Sequence, residues 1–169
     1  MTLRLILIRH GKSSWDDPKL DDHARPLNPR GRRSAHAIGT WMAEKGYIPG
    51  EMFCSDARRA VGTAKRVLEE LPDHTVPHYL PALFHASAET ILAAVRGASA
   101  PVLAVVGHNP GIGAFASRVL SEPWDHPRFG DYPTCATTVI DFDAAQWRGV
   151  EWGSGRAVDF ALPRELLGE

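Results

Sequence analysis

The run from Thr2 to Ile8 constrains this chain more than any other stretch. It is apolar and rich in β-branched residues, carries Arg4 as its single charge, and stops abruptly at Arg9-His10-Gly11. A short run of this kind reads as a strand buried on both faces of a parallel sheet. Its end then falls where open α/β sheets bind ligands, in the crevice at the carboxyl ends of the strands. A fixed cation, an imidazole and a glycine in succession suggest an anion held beside a nucleophile or a proton carrier. Glycine at position 11 would allow a tight turn and close approach of a ligand to the main chain. The plainer alternative is a strand ending in two polar residues that face water, and three residues alone do not decide between them.

A second strongly apolar run, Pro101 to Val106, ends the same way, in Gly107-His108. Between and around these two runs the helix signals recur. Asn28 before Pro29 is a cap followed by proline at the first helical position, which predicts a helix to about Lys45, stopped by Gly46. Ile38, Trp41 and Met42 lie on its apolar stripe, and Arg32 and Arg33 read as its solvated face. Met52 to Ser55 is a short strand, with Ser55 expected to cap a helix from Asp56 to about Leu71. Arg58 and Arg59 then sit in a first helical turn just past a strand end, where main-chain amides and guanidinium groups together favour an anion. Further expectations are an extended segment at Val76 to Tyr79, a loop with Phe84 and His85, and a helix from Ala88 to about Arg96 capped by Ser87. Asn109-Pro110 repeats the cap-then-proline start for a helix with Ile112, Phe115, Val119 and Leu120 on its apolar face. Thr137 to Phe142 and Ala157 to Leu162 read as two late strands that extend the sheet at an edge, one of them possible as an antiparallel partner. Lys12 to Gly31 and Glu122 to Pro133 are long polar loops, and long loops in compact domains are usually functional or mobile.

With 169 residues the chain suits one domain, residues 1–169, and is short for two. A net charge of −1 supplies no basic field for nucleic acid. No apolar stretch reaches membrane-spanning length, and Leu3 to Ile8 is too short for a signal-peptide core, so a cytoplasmic location and no membrane partner are expected. Two cysteines, Cys54 and Cys135, make no disulfide framework and have no zinc-ligand spacing.

Three strand ends thus contribute Arg9 and His10, Arg58 or Arg59, and Gly107-His108. Arginine holds two oxygens of a phosphate at once and keeps its charge. A histidine among arginines is disfavoured as a cation, so its neutral, nucleophilic form gains, and histidine is an established covalent nucleophile. A metal held by His10 and His108 is the competing use, but arginines would repel the ion and no carboxylate flanks either histidine. A cysteine-based phosphatase needs arginine six positions after its cysteine, and the sixth residue after Cys54 is Ala60, which leaves Cys54 a small buried apolar residue. His23, His36, His74, His78 and His126 have no supporting neighbours and read as surface or packing residues.

Arg9-His10-Gly11, the string Ser55 to Ala64 and Gly107-His108 resemble the histidine phosphatase (phosphoglycerate mutase-like) superfamily. Lys12-Ser13-Ser14-Trp15, Arg25-Pro26-Leu27-Asn28 with Gly31, Val106 to Gly111 and Pro133-Thr134 are similar to its small, SixA-type phosphohistidine phosphatase branch. The resemblance covers nearly the whole chain. It implies a three-layer α/β/α sandwich with a mainly parallel sheet. It also implies Arg9 and Arg59 as phosphate-binding arginines, His10 as nucleophile, His108 as the second histidine on the phosphoryl group, and Gly11 and Ser13 beside the substrate. Arg59 is chosen over Arg58 because it is the one followed by Ala, two residues and Thr. The resemblance requires no metal or cofactor. In two places the chain departs from the larger branches. Asp16 stands where an asparagine often follows, and no acidic proton donor is assigned, leaving Asp16, Asp17, His85 and Glu89 as candidates.

The function expected is a metal-independent phosphatase acting on phosphohistidine in a protein, as a monomer. The alternatives are a phosphatase of small phosphate esters and a non-catalytic phosphoprotein-binding module.

Overall fold

The computed structural model describes residues 2–72 and 75–169, so the expectation for His74 lies outside the described residues. Six strands form one sheet in the order β3-β2-β4-β1-β5-β6. They are β1 (Thr2–Arg9), β2 (Glu51–Ser55), β3 (Pro77–Leu80), β4 (Val102–Gly107), β5 (Thr137–Asp143) and β6 (Arg156–Ala161). The first four neighbours pair in parallel, and β5 runs against both β1 and β6. The helices are α1 (Pro29–Lys45), α2 (Arg58–Glu69), α3 (Ala88–Arg96), α4 (Gly111–Val119) and the short α5 (Pro163–Leu166).

β1 shows why the fold has three layers. Leu3, Leu5 and Leu7 enter one apolar cluster with Ile91 and Leu92 of α3 and Ile112 and Phe115 of α4. Ile6 and Ile8 enter the other, with Ile38 and Met42 of α1 and Ala64 and Val67 of α2. Alternate side chains of one strand therefore feed two cores, as a strand covered on both faces requires. Each such aliphatic side chain removed from water contributes roughly 1.5–3 kcal/mol.

α1 follows its sequence signals. The Asn28 side chain accepts from the Gly31 amide at 2.7 Å, Pro29 opens the helix, and Gly46 closes it at a φ of 75°. Two other helix starts differ from expectation. α2 begins at Arg58 after Ala57, with no side-chain cap, so Ser55 does not cap it. Ser55 Oγ instead accepts from the Ala57 amide and shares a hydrogen bond with the histidine just past the end of the next strand. α4 begins at Gly111, one residue later than the cap-then-proline pattern implies, and the Asn109–Pro110 bond is cis. Asn109 still accepts from the Gly113 amide at 3.1 Å, so its side chain satisfies one first-turn donor from outside the helix.

The Glu122–Pro133 loop is also more than a surface connection. Tyr132 is fully buried, and its hydroxyl meets the Leu7 carbonyl and Thr138 Oγ1. Among the described residues no helix is long and apolar enough to cross a membrane.

Candidate active site

The register of two neighbouring strands sets the centre of the site. In the β1–β4 pair Arg9 lies opposite Gly107, so the next residue on each strand is a histidine. Adjacent strands lie about 4.8 Å apart, and the His10 and His108 rings face each other with centroids 4.9 Å apart. The His10 amide donates to the Gly107 carbonyl and its carbonyl accepts from the Cys135 amide, which fixes the backbone on both sides. β2 flanks β4 on the far side, with Cys54 opposite Val106. That brings Ser55 Oγ to 2.7 Å from His108 Nε2.

α2 delivers the arginine. Arg59 is 4% exposed while Arg58 faces solvent. One turn further on, Thr63 explains the spacing of the Arg-Ala-x-x-Thr string. Its hydroxyl donates back to the Arg59 carbonyl at 2.8 Å and accepts from the Gly11 amide at 2.9 Å, tying the first turn of α2 to the end of β1.

A pocket of about 500 Å³ opens here, lined by Arg9, His10, Ser13, Arg59 and His108 of the expected set. Gly11 stands elsewhere. Its amide is taken by Thr63 and its carbonyl by His10 Nδ1 at 2.7 Å, and it does not line the pocket. A Cβ there would meet the Gly31 carbonyl oxygen at 2.9 Å, so the close approach that needs glycine is to α1 and not to a ligand.

The lining also holds Lys12, Trp15, Asp22, Arg25, Asn28, His85, Asn109 and Thr134; of these the sequence marks Asn28 and Asn109 only as helix caps and His85 only as a candidate acid, and it assigns the others no part in the chemistry. Arg25 is buried, donates to Ser13 Oγ at 2.7 Å and to Asp22 Oδ1 at 2.9 Å, and stacks its guanidinium 3.6 Å from the Trp15 ring centre. Asp22 further accepts from Arg59 NH2 at 3.1 Å and lies 3.2 Å from His85 Nε2. The sequence signal for Arg25 was its place in the Arg-Pro-Leu-Asn string; nothing marked Asp22. Asp16, Asp17 and Glu89 are not among the pocket's lining, and Glu89 pairs with Arg118.

The electrostatics are one-sided. Burial, and then Arg59, Arg9 and Arg25, push His10 down to about 4 against the opposing pull of its bond to Gly11. Burial, and then His10, Arg59 and His85, push His108 down to about 3. Burial raises Asp22, but its bonds and attraction to Arg25 and Arg59 outweigh this and hold it below the usual carboxylate range. Both histidines are thus neutral at neutral pH and the carboxylate is ionised. Burial pushes the Cys54 thiol up, far from thiolate chemistry, and Cys135 up to about 12.

Three buried side-chain nitrogens lack a partner among the described residues: Arg9 Nε, Arg59 Nε and His108 Nδ1. A buried donor left unpaired costs roughly 1–3 kcal/mol, and all three belong to one pocket. Among the described residues three non-glycine residues have positive φ, His85, Tyr132 and Cys135, at 56°, 45° and 59°. All adjoin the site: His85 lines it, the Tyr132 carbonyl accepts from Arg9 NH1 and Asn109 Nδ2, and Cys135 holds the His10 carbonyl. Such backbone strain, on the order of 1–3 kcal/mol each, clusters at functional sites. No group of three or more metal-ligating side chains converges among the described residues.

An uncharacterized protein of Mycobacterium tuberculosis is 30% identical over 164 residues, spanning 93% of this chain and 100% of the relative. The structure of the provisionally named phosphohistidine phosphatase SixA of Agrobacterium tumefaciens superposes with a TM-score of 0.82 at 26% identity, covering 95% of this chain and 98% of that one. A protein histidine phosphatase SixA complexed with tungstate shares the fold, with a TM-score of 0.78 at 20% identity over 97% and 99% of the two chains. The family model of the histidine phosphatase superfamily (branch 1) matches residues 5–84, the stretch that carries Arg9, His10 and Arg59. With its sheet order, its paired strand-end histidines and these matches agreeing, the chain belongs to the histidine phosphatase superfamily.

Proposed function

We propose that this phosphatase works through a phosphoryl group carried on His10, without metal, and that its preferred substrate is phosphohistidine on a protein. The observation that carries the reading is the bond between His10 Nδ1 and the Gly11 carbonyl. A carbonyl only accepts, so Nδ1 holds the ring proton and Nε2 keeps its lone pair. Low basicity keeps that lone pair free of a proton at neutral pH. In-line attack by Nε2 forms the new N–P bond as the bond from phosphorus to the leaving nitrogen breaks. The Gly11 carbonyl then faces an N–H made more acidic by the charge on the phosphorylated ring. Arg9, Arg59 and Arg25 hold the phosphoryl oxygens. His108 adds a further donor: in the tautomer whose Nε2 accepts from the Ser55 hydroxyl, the proton sits on the buried Nδ1, which has no other partner among the described residues. Water then cleaves the N–P bond, releasing phosphate and restoring neutral His10. Phosphoryl transfer asks mainly for positioning and charge stabilisation, which such a set provides.

The leaving group argues for the P–N bond. Asp22 is the one carboxylate among the described residues lining the pocket, and the arginines keep it ionised, so it cannot protonate an alkoxide. Such proton donation is typically worth about a hundredfold to ten-thousandfold. Imidazole, already protonated on its other nitrogen, leaves without that help. A specific observation favours small esters as the second reading: His85 lines the pocket with Asp22 behind it, a proton donor in place for an alcohol.

Competition decides between them. Catalytic efficiency should be highest on a phosphohistidine protein, lower on aryl phosphates and lowest on alkyl phosphates, and a chelator should leave all three unchanged. Equal efficiency on an alkyl phosphate would overturn the P–N preference and point to His85 as acid.

A further inference from the structure

A second cavity, of about 140 Å³, lies beside the first, between the start of α1, the 128–134 loop and α5. Lys12 and Thr134 line both cavities, so the two share a wall. Lys12, Arg30, Arg128 and Arg164 surround the second one, with Glu169 as its one carboxylate. Arg128 is engaged by Asp131 at 3.0 Å, while Lys12 and Arg164 have no ion-pair partner among the described residues. The Glu169 carboxylate sits 3.2 Å from Arg30 and 3.7 Å from Arg33. The chain's own glutamate therefore shows what this cluster accepts. The histidine phosphatase chemistry uses none of these arginines, and the net charge of the chain gives no general reason for them to gather.

We propose that this cavity is an anion subsite which takes an acidic side chain next to the phosphohistidine of the protein substrate. This rests on the reading that the substrate is a protein. Guanidinium forks match a carboxylate at two points. The space, equal to about five waters at roughly 30 Å³ each, suits a carboxylate and its first methylenes. Since Arg30 and Arg164 are exposed, their effect falls on encounter and KM more than on the chemical step, and it weakens with salt.

The test uses synthetic peptides with one chemically phosphorylated histidine, flanked by Glu, Gln or Lys. For the wild-type protein at low salt, kcat/KM on the Glu peptide should exceed that on the Gln peptide roughly fivefold, with Lys below both, as expected of two or three exposed charge pairs. High salt should shrink the ratio, and so should the double variant Arg30→Gln, Arg164→Gln, which brings it to about one. Because the readout is a ratio within each enzyme, a general loss of activity cancels. A wild-type ratio of one, or a ratio that survives in the double variant, overturns the subsite. If no peptide is turned over, the protein-substrate reading fails by itself. The subsite is then read from fluorescein-labelled, unphosphorylated Glu and Gln peptides by anisotropy. Tighter binding of the Glu peptide that is lost in the double variant supports it, and equal binding overturns it.

Discussion

The two walls of the pocket are built differently. One wall carries Arg9, His10 and His108, and strand register alone puts them together: Arg9 opposite Gly107 makes the two histidines neighbours. The other carries Trp15, Asp22 and Arg25 on the long segment between β1 and α1, held by side-chain bonds among themselves and to Ser13 and Arg59. The first is bought with buried main-chain hydrogen bonds and apolar packing on both faces. The second depends on a few ion pairs, with Trp15 76% exposed above them. A sheet wall suits atoms that must react at fixed distance, and a loop wall suits groups that adapt to the substrate.

Truncation should separate the two walls. Arg9→Ala should lower kcat by roughly a hundredfold to a thousandfold, as loss of a preorganised donor does elsewhere. Arg25→Ala should cost about tenfold, chiefly in KM, since its place can be taken by neighbours in a loop. Both variants should keep the wild-type far-ultraviolet circular dichroism. Equal losses in kcat would mean that the loop wall is as preorganised as the sheet wall.

Within the sheet wall, Ser55 positions His108. Ser55→Ala removes the partner of His108 Nε2, worth about 1 kcal/mol for one hydrogen bond, so kcat should fall roughly fivefold. Ser55→Thr should restore it, and the nitrogen chemical shifts of His108 should report mixed tautomers in the alanine variant and one in the threonine variant. An unchanged spectrum in Ser55→Ala would remove Ser55 as a positioning residue.

The same two histidines also act on stability. The unfolded chain protonates His10 and His108 near 6.5, whereas the folded protein resists until about 4 and about 3. The unfolded state therefore binds more protons in that window, and stability should fall as pH drops from about 6.5 towards 4 and be fully present above it. Urea midpoints measured across this range check the sign. Replacing both histidines with Gln should flatten the slope; the same slope in the double variant would assign it to other groups.

What the sequence made legible follows the same division. His10 and His108 could be read because each ends an apolar run, and the fold turns that repeated pattern into adjacency. Arg58 and Arg59 were both plausible by position. The helical turn buries the one that Thr63 ties to Gly11 and leaves the other in solvent. Asp22 was not legible, because a loop has no periodicity to say which carboxylate turns inward. Local spacing marks Ser55 as a helix cap, but a hydroxyl at a strand end is equally close to the neighbouring strand, and His108 claims it. Tyr132 hid among prolines and aspartates, and only the tertiary fold shows that its ring is buried and its carbonyl supports Arg9.

Trapping the phosphoenzyme tests covalent catalysis by His10. The protein is mixed with a phosphohistidine substrate, quenched at alkaline pH where a phosphorylated imidazole survives, digested, and read by mass spectrometry. The expected result is one phosphoryl group on the peptide that contains His10, lost on acid treatment, and neither trapping nor turnover in His10→Ala. Phosphoryl transfer to His108 instead, or near-normal turnover by His10→Ala, would contradict it.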